Sequence, residues 1–355
     1  PGYDLGNMLR GKVAGIRIVA PTGNPSVTPQ IRLRGSSSIS GSNAPLIIMD
    51  GAYLYGDGNL RDIDMESIES IEVLKGAASS AQYGSLGGNG VIILKSKRGN
   101  QSGKPKITFR NEYGSTQRTG NFPLATTHPF LNNANGKVNP SGNANGGGSD
   151  YGFALDGGGN KILDPDRLFD NPYLSSTYDN VNNILSKQPF RNNYISVEKN
   201  SKNYSIFTSF QNQKIKGLME SLRPFERKNI RLNLELNSIK NLTIGISGLS
   251  SNSSGLQTTS HTANNSISRN FFGQLMVTLP FVDLAETNPD NTISYSPKGY
   301  NLGNYGWPFT PLYESTIRDY GFQQNRFIGS IYAKYKIINR LELSANYGSD
   351  RINTF

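Results

Sequence analysis

The feature that most constrains this chain is a two-residue hydrophobic period that returns repeatedly over its last two-thirds. Ile230, Leu232, Leu234 and Leu236 alternate with Arg231, Asn233, Glu235 and Asn237, and Leu242 to Ser247 continue the pattern. Phe327, Gly329, Ile331, Ala333, Tyr335 and Ile337 share one parity, opposite Ser330, Lys334 and Lys336; Leu341, Leu343, Ala345 and Tyr347 follow. Successive side chains of a strand point to opposite faces, so each segment is a strand with one apolar and one polar side. Ile107 to Tyr113, Phe190 to Glu198 and Tyr204 to Phe210 read as strands less cleanly. Seven strands are predicted, near 106–114, 189–199, 203–213, 227–237, 241–251, 325–337 and 340–350.

The connections between them add a second constraint. Asn200 to Asn203, Ser238 to Asn241 and Ile338 to Arg340 are tight, whereas about 115–188, 214–226 and 253–320 are long. Alternating short and long connections suit an antiparallel transmembrane barrel, with tight turns at one rim and long loops at the other. A soluble β-sandwich also alternates apolar and polar residues, but loops beyond roughly 15 residues are uncommon there. Phe109, Tyr113, Phe190, Tyr194 and Tyr347 lie near strand ends, as interfacial aromatic girdles require. The barrel is the favoured reading.

Composition supports a β-rich chain with long loops. Gly numbers 39, and 18 Tyr stand beside 16 Phe in 355 residues. No window reaches the ~18 to 20 apolar residues of a membrane-spanning helix. Cysteine is absent, which excludes disulfides, Cys-ligated zinc and thiol catalysis. The net charge is +10, but Lys and Arg are scattered; Lys95 to Arg98 and Lys104 to Lys106 read as a solvated linker, and no nucleic-acid partner is expected. Pro1 to Asp4 lack the charged and apolar regions of a signal peptide, so the chain is expected to begin downstream of its true start.

Residues 1–104 have a different texture. Short apolar strands alternate with Gly, Pro and Ser turns: Val13 to Val19, Gln30 to Arg34, Pro45 to Met49, Ile68 to Leu74 and Val91 to Lys95. Leu60 to Ser67 and Ala77 to Tyr83 read as short helical pieces. Asp50-Gly51 after an apolar strand is a tight turn, and the glycines between Gly84 and Gly90 let the chain bend before the buried strand at Val91. This is a small α+β domain; Gly99 to Pro105 links it to the strands that follow.

Several of its segments occur in an order that resembles a known family. Leu9-Arg-Gly-Lys-Val-Ala-Gly-Ile16, Ile31-Arg-Leu-Arg-Gly35, Pro45-Leu-Ile-Ile-Met-Asp-Gly51, Ile68 to Gly76, and Tyr83-Gly-Ser85 with Asn89-Gly-Val-Ile92 resemble the plug signature of SusC-like TonB-dependent transporters. Asn203 to Gln213 and Phe225 to Asn233 look like that family's early barrel hairpin. The resemblance implies a mostly β fold: an α+β plug over 1–104, its N-terminus incomplete, and the first strands of a transmembrane barrel over 105–355. It implies TonB-dependent import of oligosaccharide or peptide across the bacterial outer membrane, beside a SusD-like surface lipoprotein. Other expected partners are the TonB complex through a missing N-terminal segment, outer-membrane lipid, and further barrel strands of the same protein. No enzyme activity and no cofactor are expected. A SusC-like scaffold that has lost transport is the alternative, and a soluble β-sandwich adhesin a more distant one.

The resemblance also nominates residues. Arg32 and Arg34, on one side of a strand, are candidates to latch the plug onto wall carboxylates such as Glu112, Glu198 or Glu235. Asp50, Gly51, Glu72, Tyr83, Gly84, Asn89 and Gly90 are the other signature positions. The chain departs from the family at Lys75-Gly76-Ala77, where an aspartate is usual, and at Leu86-Gly87-Gly88, where an arginine is lost. Loop aromatics Phe271, Tyr305, Trp307 and Tyr313 are candidates to contact substrate or partner. Asp156, Asn160 and Asp164 offer oxygen ligands for calcium, although no EF-hand register is present. Glycines 84–90 precede a strand rather than a helix, which argues against phosphate binding. His128 and His261 fall in predicted loops with nothing to make either a catalytic base.

Overall fold

The computed structural model describes residue 9, 15–19, 25–26, 29–33, 43–54, 60–99, 103–117, 120, 126–134, 152–158, 160–174, 178–179, 185, 187–218, 223–256, 285–287, 289, 293–295, 321–338 and 340–355. Strands dominate and helices are short.

In the N-terminal part, β1 (Arg17–Val19) pairs antiparallel with β2 (Gln30–Arg32). A four-stranded sheet follows, built from β3 (Leu46–Met49), β4 (Ala52–Tyr53), β5 (Ile68–Leu74) and β6 (Val91–Ser96) in the order β4-β3-β6-β5. β6 lies parallel to β3 and antiparallel to β5, which makes it a central strand covered on both faces. That position explains its unbroken Val91-Ile92-Ile93-Leu94 run, since a strand buried on both sides needs no polar alternation. Leu60 to Ser67 forms two 3₁₀ turns, Leu60–Asp62 and Met65–Ser67, separated by Ile63 and by Asp64, whose carboxylate accepts the Glu66 N–H and caps the second. α1 (Ala77–Tyr83) and a 3₁₀ turn (Gly84–Gly87) carry the chain from β5 back to β6. The core of this domain joins Ile31, Leu33, Ile47, Met49, Leu60, Ile63, Ile92 and Leu94.

The second part is one antiparallel sheet. Its strands are β7 (Lys106–Thr116), β10 (Gln188–Asn200), β11 (Tyr204–Ile215), β12 (Phe225–Ile239), β13 (Leu242–Leu256), β16 (Gly321–Ile338) and β17 (Leu341–Thr354). Their order, β17-β16-β13-β12-β11-β10-β7, is sequence order once the small pairs carried in the long connections are passed over. Those pairs are β8 (Thr127–His128) with β9 (Asn171–Pro172), and β14 (Ala285–Thr287) with β15 (Ile293–Tyr295). The long connections therefore hold local structure that period-2 reading did not find. In the first of them His128, Phe130, Phe153 and Tyr173 stack edge-on or tilted, and the Lys161 ammonium lies 4.3 Å from the Phe153 ring centroid. Burial among these rings lowers the His128 pKa.

The two faces of the large sheet are inside out by the standard of a soluble protein. On β12, Ile230 is 57% exposed and Leu232 47%, while Arg227 and Arg231, on the opposite face, are each 1% exposed. β16 repeats this with Phe327 exposed and Arg326 buried. The buried polar face packs on the N-terminal domain: Leu249 and Ile328 join its hydrophobic core, and β17 lies beside β4. An outward apolar face and an inward polar one are what a barrel wall in lipid requires. No described helix is long and apolar enough to cross a membrane, which says nothing of strands.

Candidate functional site

The chemistry of this chain is concentrated where the small domain meets the polar face of the large sheet. Register fixes the rows of that face. Asn192, Gln213, Arg227, Ser253 and Gln324 stand side by side across β10 to β16. The next inward row is Tyr194, Gln211, Asn229, Ser251 and Arg326, and the one after is Ser196, Ser209, Arg231, Leu249, Ile328 and Asp350. Asn233, Ser247 and Ser330 follow, then Ser205, Glu235, Gly245, Tyr332 and Asn346 nearest the tight turns.

Against these rows the small domain sets three buried carboxylates. Asp50 and Gly51 form the two-residue turn between β3 and β4, with φ of 49° and 87°. Positive φ at both central residues is the geometry of a primed hairpin turn, for which Asp-Gly is a preferred pair. Gly51 has a second reason: a Cβ there would stand 2.0 Å from Asn346 Nδ2. So placed, the Asp50 carboxylate accepts the Ser96 N–H at 2.9 Å and the Ser96 hydroxyl at 2.6 Å. It also accepts the Ser247 hydroxyl at 2.8 Å and pairs with the Arg231 guanidinium at 3.3 Å.

Asp62 ends the first 3₁₀ turn and is fully buried. It accepts Gln324 Nε2 at 2.6 Å and the Ser253 hydroxyl at 3.0 Å, with Arg326 at 3.6 Å. Arg326 also grips Asp350 through two hydrogen bonds of 2.9 and 2.8 Å, so it holds a carboxylate of each body. Asp64 lies two residues on, and burial pushes its pKa up to about 6 against the pull of Arg227 and the Glu66 N–H. Arg227 itself donates to the backbone carbonyls of Arg61 and Ile63 and to Gln211. Asn229 donates to the Asp62 carbonyl and Asn233 to Ser96 and the Lys97 carbonyl.

At the tight-turn end the signs reverse. Arg98, just past β6, donates to Glu235 and Tyr332 and lies over the Tyr332 ring at 4.9 Å. The chain thus leaves the small domain through a clasp on the wall. Glu66 reaches Arg110 of β7 at 2.7 Å.

The nominated residues fall into three groups. Asp50 and Gly51 lie at the seam. Arg32 is half-buried at the end of β2, and Glu72 pairs with Lys95 on the exposed side of the small sheet; Tyr83, Gly84 and Asn89 shape the return to β6. Gly90 is required there, because its φ is 91° and a Cβ would come within 2.5 Å of Leu33. Arg34, Phe271, Tyr305, Trp307, Tyr313 and His261 lie outside the described residues. Of the expected wall carboxylates, Glu112 holds Arg110 at 2.8 Å, Glu198 holds Lys106 at 3.0 Å, and Glu235 holds Arg98. The described ion pairs of the seam run mainly the other way, with arginine on the wall and aspartate on the small domain. Asp156 and Asn160 bind each other and close a turn, whereas Asp164 gathers with Asp166 and Asp170. Sequence reading missed Arg227, Arg231, Arg326, Asp62, Asp64 and Asp350; the available signal was charged residues at the inward parity of otherwise well-formed strands.

Comparison with known proteins fits this geometry. Residues 1–91 match the family model of the TonB-dependent receptor plug domain. TonB-dependent receptor P26 of Formosa agariphila is 41% identical over 117 residues, 32% of this chain and 12% of the relative. TonB-dependent receptor SusC of Bacteroides thetaiotaomicron is 37% identical over 120 residues, again 32% and 12%. In fold, the RagAB peptide importer in its closed-closed state covers the whole chain with a TM-score of 0.75 at 22% identity, the chain spanning 39% of its length. Residues 1–91 thus match a TonB-dependent receptor plug domain, and the chain as a whole has the fold of a plug followed by part of an antiparallel barrel. Over about a third of its length it is similar in sequence to SusC.

Proposed function

We propose that this chain forms the plug and the first wall strands of an importer that TonB energises in the bacterial outer membrane. The domain division near residue 104, with the plug before it and the wall after, belongs to this reading. The observation that carries it is the seam: the mostly polar inner face of the described wall meets a small domain through buried polar contacts, with Leu249 and Ile328 as apolar exceptions. A permanent structural filler is better built from hydrocarbon, since burying ion pairs costs desolvation that apolar packing avoids. A stopper that has to leave and return gains from polar surfaces, which stay compatible with water when separated.

Oligosaccharide or peptide is the cargo class that the SusC and RagAB likenesses support, with a SusD-like lipoprotein as the surface partner. Phe271, Tyr305, Trp307 and Tyr313 are the loop residues assigned to cargo or partner contact. TonB engages a segment N-terminal to the plug. The test is uptake of glycan and peptide nutrients by cells carrying the full-length gene, with and without a functional TonB. Uptake that requires both supports the reading. Uptake unchanged on loss of TonB, or recovery of the full-length protein in the aqueous phase without detergent, overturns it.

A further inference from the structure

We propose that the outward face of the wall, where it rises past the apolar belt, seats the phosphorylated saccharide headgroup of an outer-leaflet glycolipid. A row of asparagine amides serves the sugars, and Arg191, Lys214, Lys228 and Arg351 serve the phosphates. The inference rests on the reading of the wall as part of a barrel in the outer membrane.

Strand register builds the row. Asn111 of β7, Asn193 of β10 and Asn212 of β11 are successive cross-strand partners. The row runs on through Lys228 of β12 to Asn252 of β13, Asn325 of β16 and Asn353 of β17. It shares its parity with the exposed Phe109, Ile230 and Phe327 of the neighbouring row, so it lies on the outer face. Asparagine is depleted in strands, so strand formation does not account for an amide on six of the seven. Asn111 donates to Asn193 and Asn252 to Asn325. An amide has two donors and two acceptor lone pairs, which leaves capacity for a further partner after one such bond.

Charge selects the occupant. The outward positions of the seven strands hold Arg191, Lys199, Lys214, Lys228 and Arg351 against one carboxylate, Glu226, which pairs with Lys214. Lys334 and Lys336 belong to the inward parity, and Lys199 lies toward the tight turns. The other four cations stand toward the long connections, each just past the last apolar or aromatic outward residue of its strand. Arg191 follows Ile195 in this sense, Lys214 follows Phe210, Lys228 follows Ile230 and Arg351 follows Tyr347. The offsets are two or four residues, about 7 to 14 Å at ~3.4 Å per residue. The height gained is smaller, since barrel strands tilt by ~35–45°. Headgroup phosphates and sugars lie at that level above acyl chains. The same tilt makes the amide row climb, from Asn111 between Phe109 and Tyr113 at one end to Asn353 beyond Tyr347 at the other. A second copy of the chain would bring the same excess of cations to this face. A phosphorylated saccharide complements the guanidinium and ammonium groups with its phosphates and the amides with its hydroxyls.

The full-length protein in detergent tests this, with purified rough-type lipopolysaccharide and phosphatidylglycerol as probes and lipid retained per protein read by native mass spectrometry. Wild type is expected to retain the glycolipid at least ~5-fold over phosphatidylglycerol, which offers a phosphate without the sugars. In Arg191→Gln/Lys228→Gln/Arg351→Gln, glycolipid retention is expected to fall by at least ~10-fold, as loss of three basic side chains beside an anionic surface requires. Asn212→Ala/Asn252→Ala/Asn325→Ala is expected to bring it down toward the phosphatidylglycerol value. Lys334→Gln/Lys336→Gln, on the other face, is expected to leave it unchanged. Equal retention of the two lipids by wild type, or a cation variant equal to wild type, overturns the inference. A dimer that the cation variant dissociates, with no glycolipid retained, gives the face to a second copy and overturns it too. If the variants do not assemble, the wild-type comparison decides. Recovery in the aqueous phase without detergent would overturn the barrel reading through a separate measurement, so the two failures are distinguishable.

Discussion

Ile92 and Leu94 in β6 and Asp50 and Asp62 nearby belong to the same small domain, the first two and Asp62 fully buried and Asp50 nearly so, yet they are held by opposite physics. The first pair packs into a continuous apolar cluster with Ile47, Met49 and Ile63. The second pair faces guanidinium, amide and hydroxyl groups of a sheet whose strands lie some 180 to 260 residues further along the chain. Hydrocarbon packing has no preferred partner and tolerates no water. A charged seam has strict partners and can be rehydrated. The contrast teaches that the small domain's own sheet is held by hydrocarbon, whereas its attachment to the wall is mostly polar, with Leu249 and Ile328 as the apolar contribution from the wall.

Four experiments bear on this contrast, from the largest effect to the smallest. Arg326→Ala removes one cation shared by two buried carboxylates. The expected cost is about 3–5 kcal/mol, as for breaking a buried ion pair by deleting one partner. It should appear as protease access to a plug that keeps its own hydrogen-exchange protection; loss of protection in β3 and β6 would show that seam and core are one cooperative unit. Leu94→Ala should cost about 2–5 kcal/mol from lost burial and a residual cavity, with protection lost in β3 and β6 themselves.

The third experiment uses pH. The Asp64 carboxyl faces Arg227 and Arg231 of β12, Glu66 of its own turn and Tyr194 of β10, and burial raises its pKa from 3.8 to about 6. A raised carboxyl pKa means that the folded state binds the proton more tightly. Stability from this group is therefore fully present below 3.8 and falls as pH rises through about 6. The full swing is about 3 kcal/mol for a shift near two units. Asp64→Asn should flatten plug stability measured between pH 4 and 7 (about the span of the two pKa values); an unchanged slope would assign the dependence to another group. Last, Glu72→Ala breaks the exposed pair with Lys95 and should cost no more than about 0.5 kcal/mol in urea unfolding. A larger loss would mean that ions also hold the plug's own sheet.

The sheet and the seam were not equally legible in the amino-acid sequence. Period-2 alternation located the strands of the large sheet and their two faces, because one apolar face leaves a simple signature at every second residue. It also marked Arg231, Asn233 and Glu235 as one face of β12. What alternation does not carry is the identity of the group opposite. A polar wall face looks the same whether it lines water or grips a plug. The expected latch put arginine on the plug and carboxylate on the wall; the described pairs reverse that at Arg231–Asp50 and Arg326–Asp62 and keep it at Arg98–Glu235. Asp62 and Asp64 were hidden in a segment read only as a short helical piece, and their meaning depends on residues of β12, β13 and β16 that no local pattern connects to them. Asp50 was found for its turn, and its four-way contact came only with the fold.

That contact bears on inheritance. A single carboxylate on the β3–β4 turn is matched to Ser96, to Arg231 and to Ser247, partners 46, 181 and 197 residues away. A change on either side of the seam leaves a buried charge or hydroxyl without its counterpart, so the two halves cannot drift separately. Plug and wall are then a matched pair, transmitted together. A plug transplanted from a relative with different inward charges would fold and still sit badly in this barrel, unless its wall partners were carried across with it.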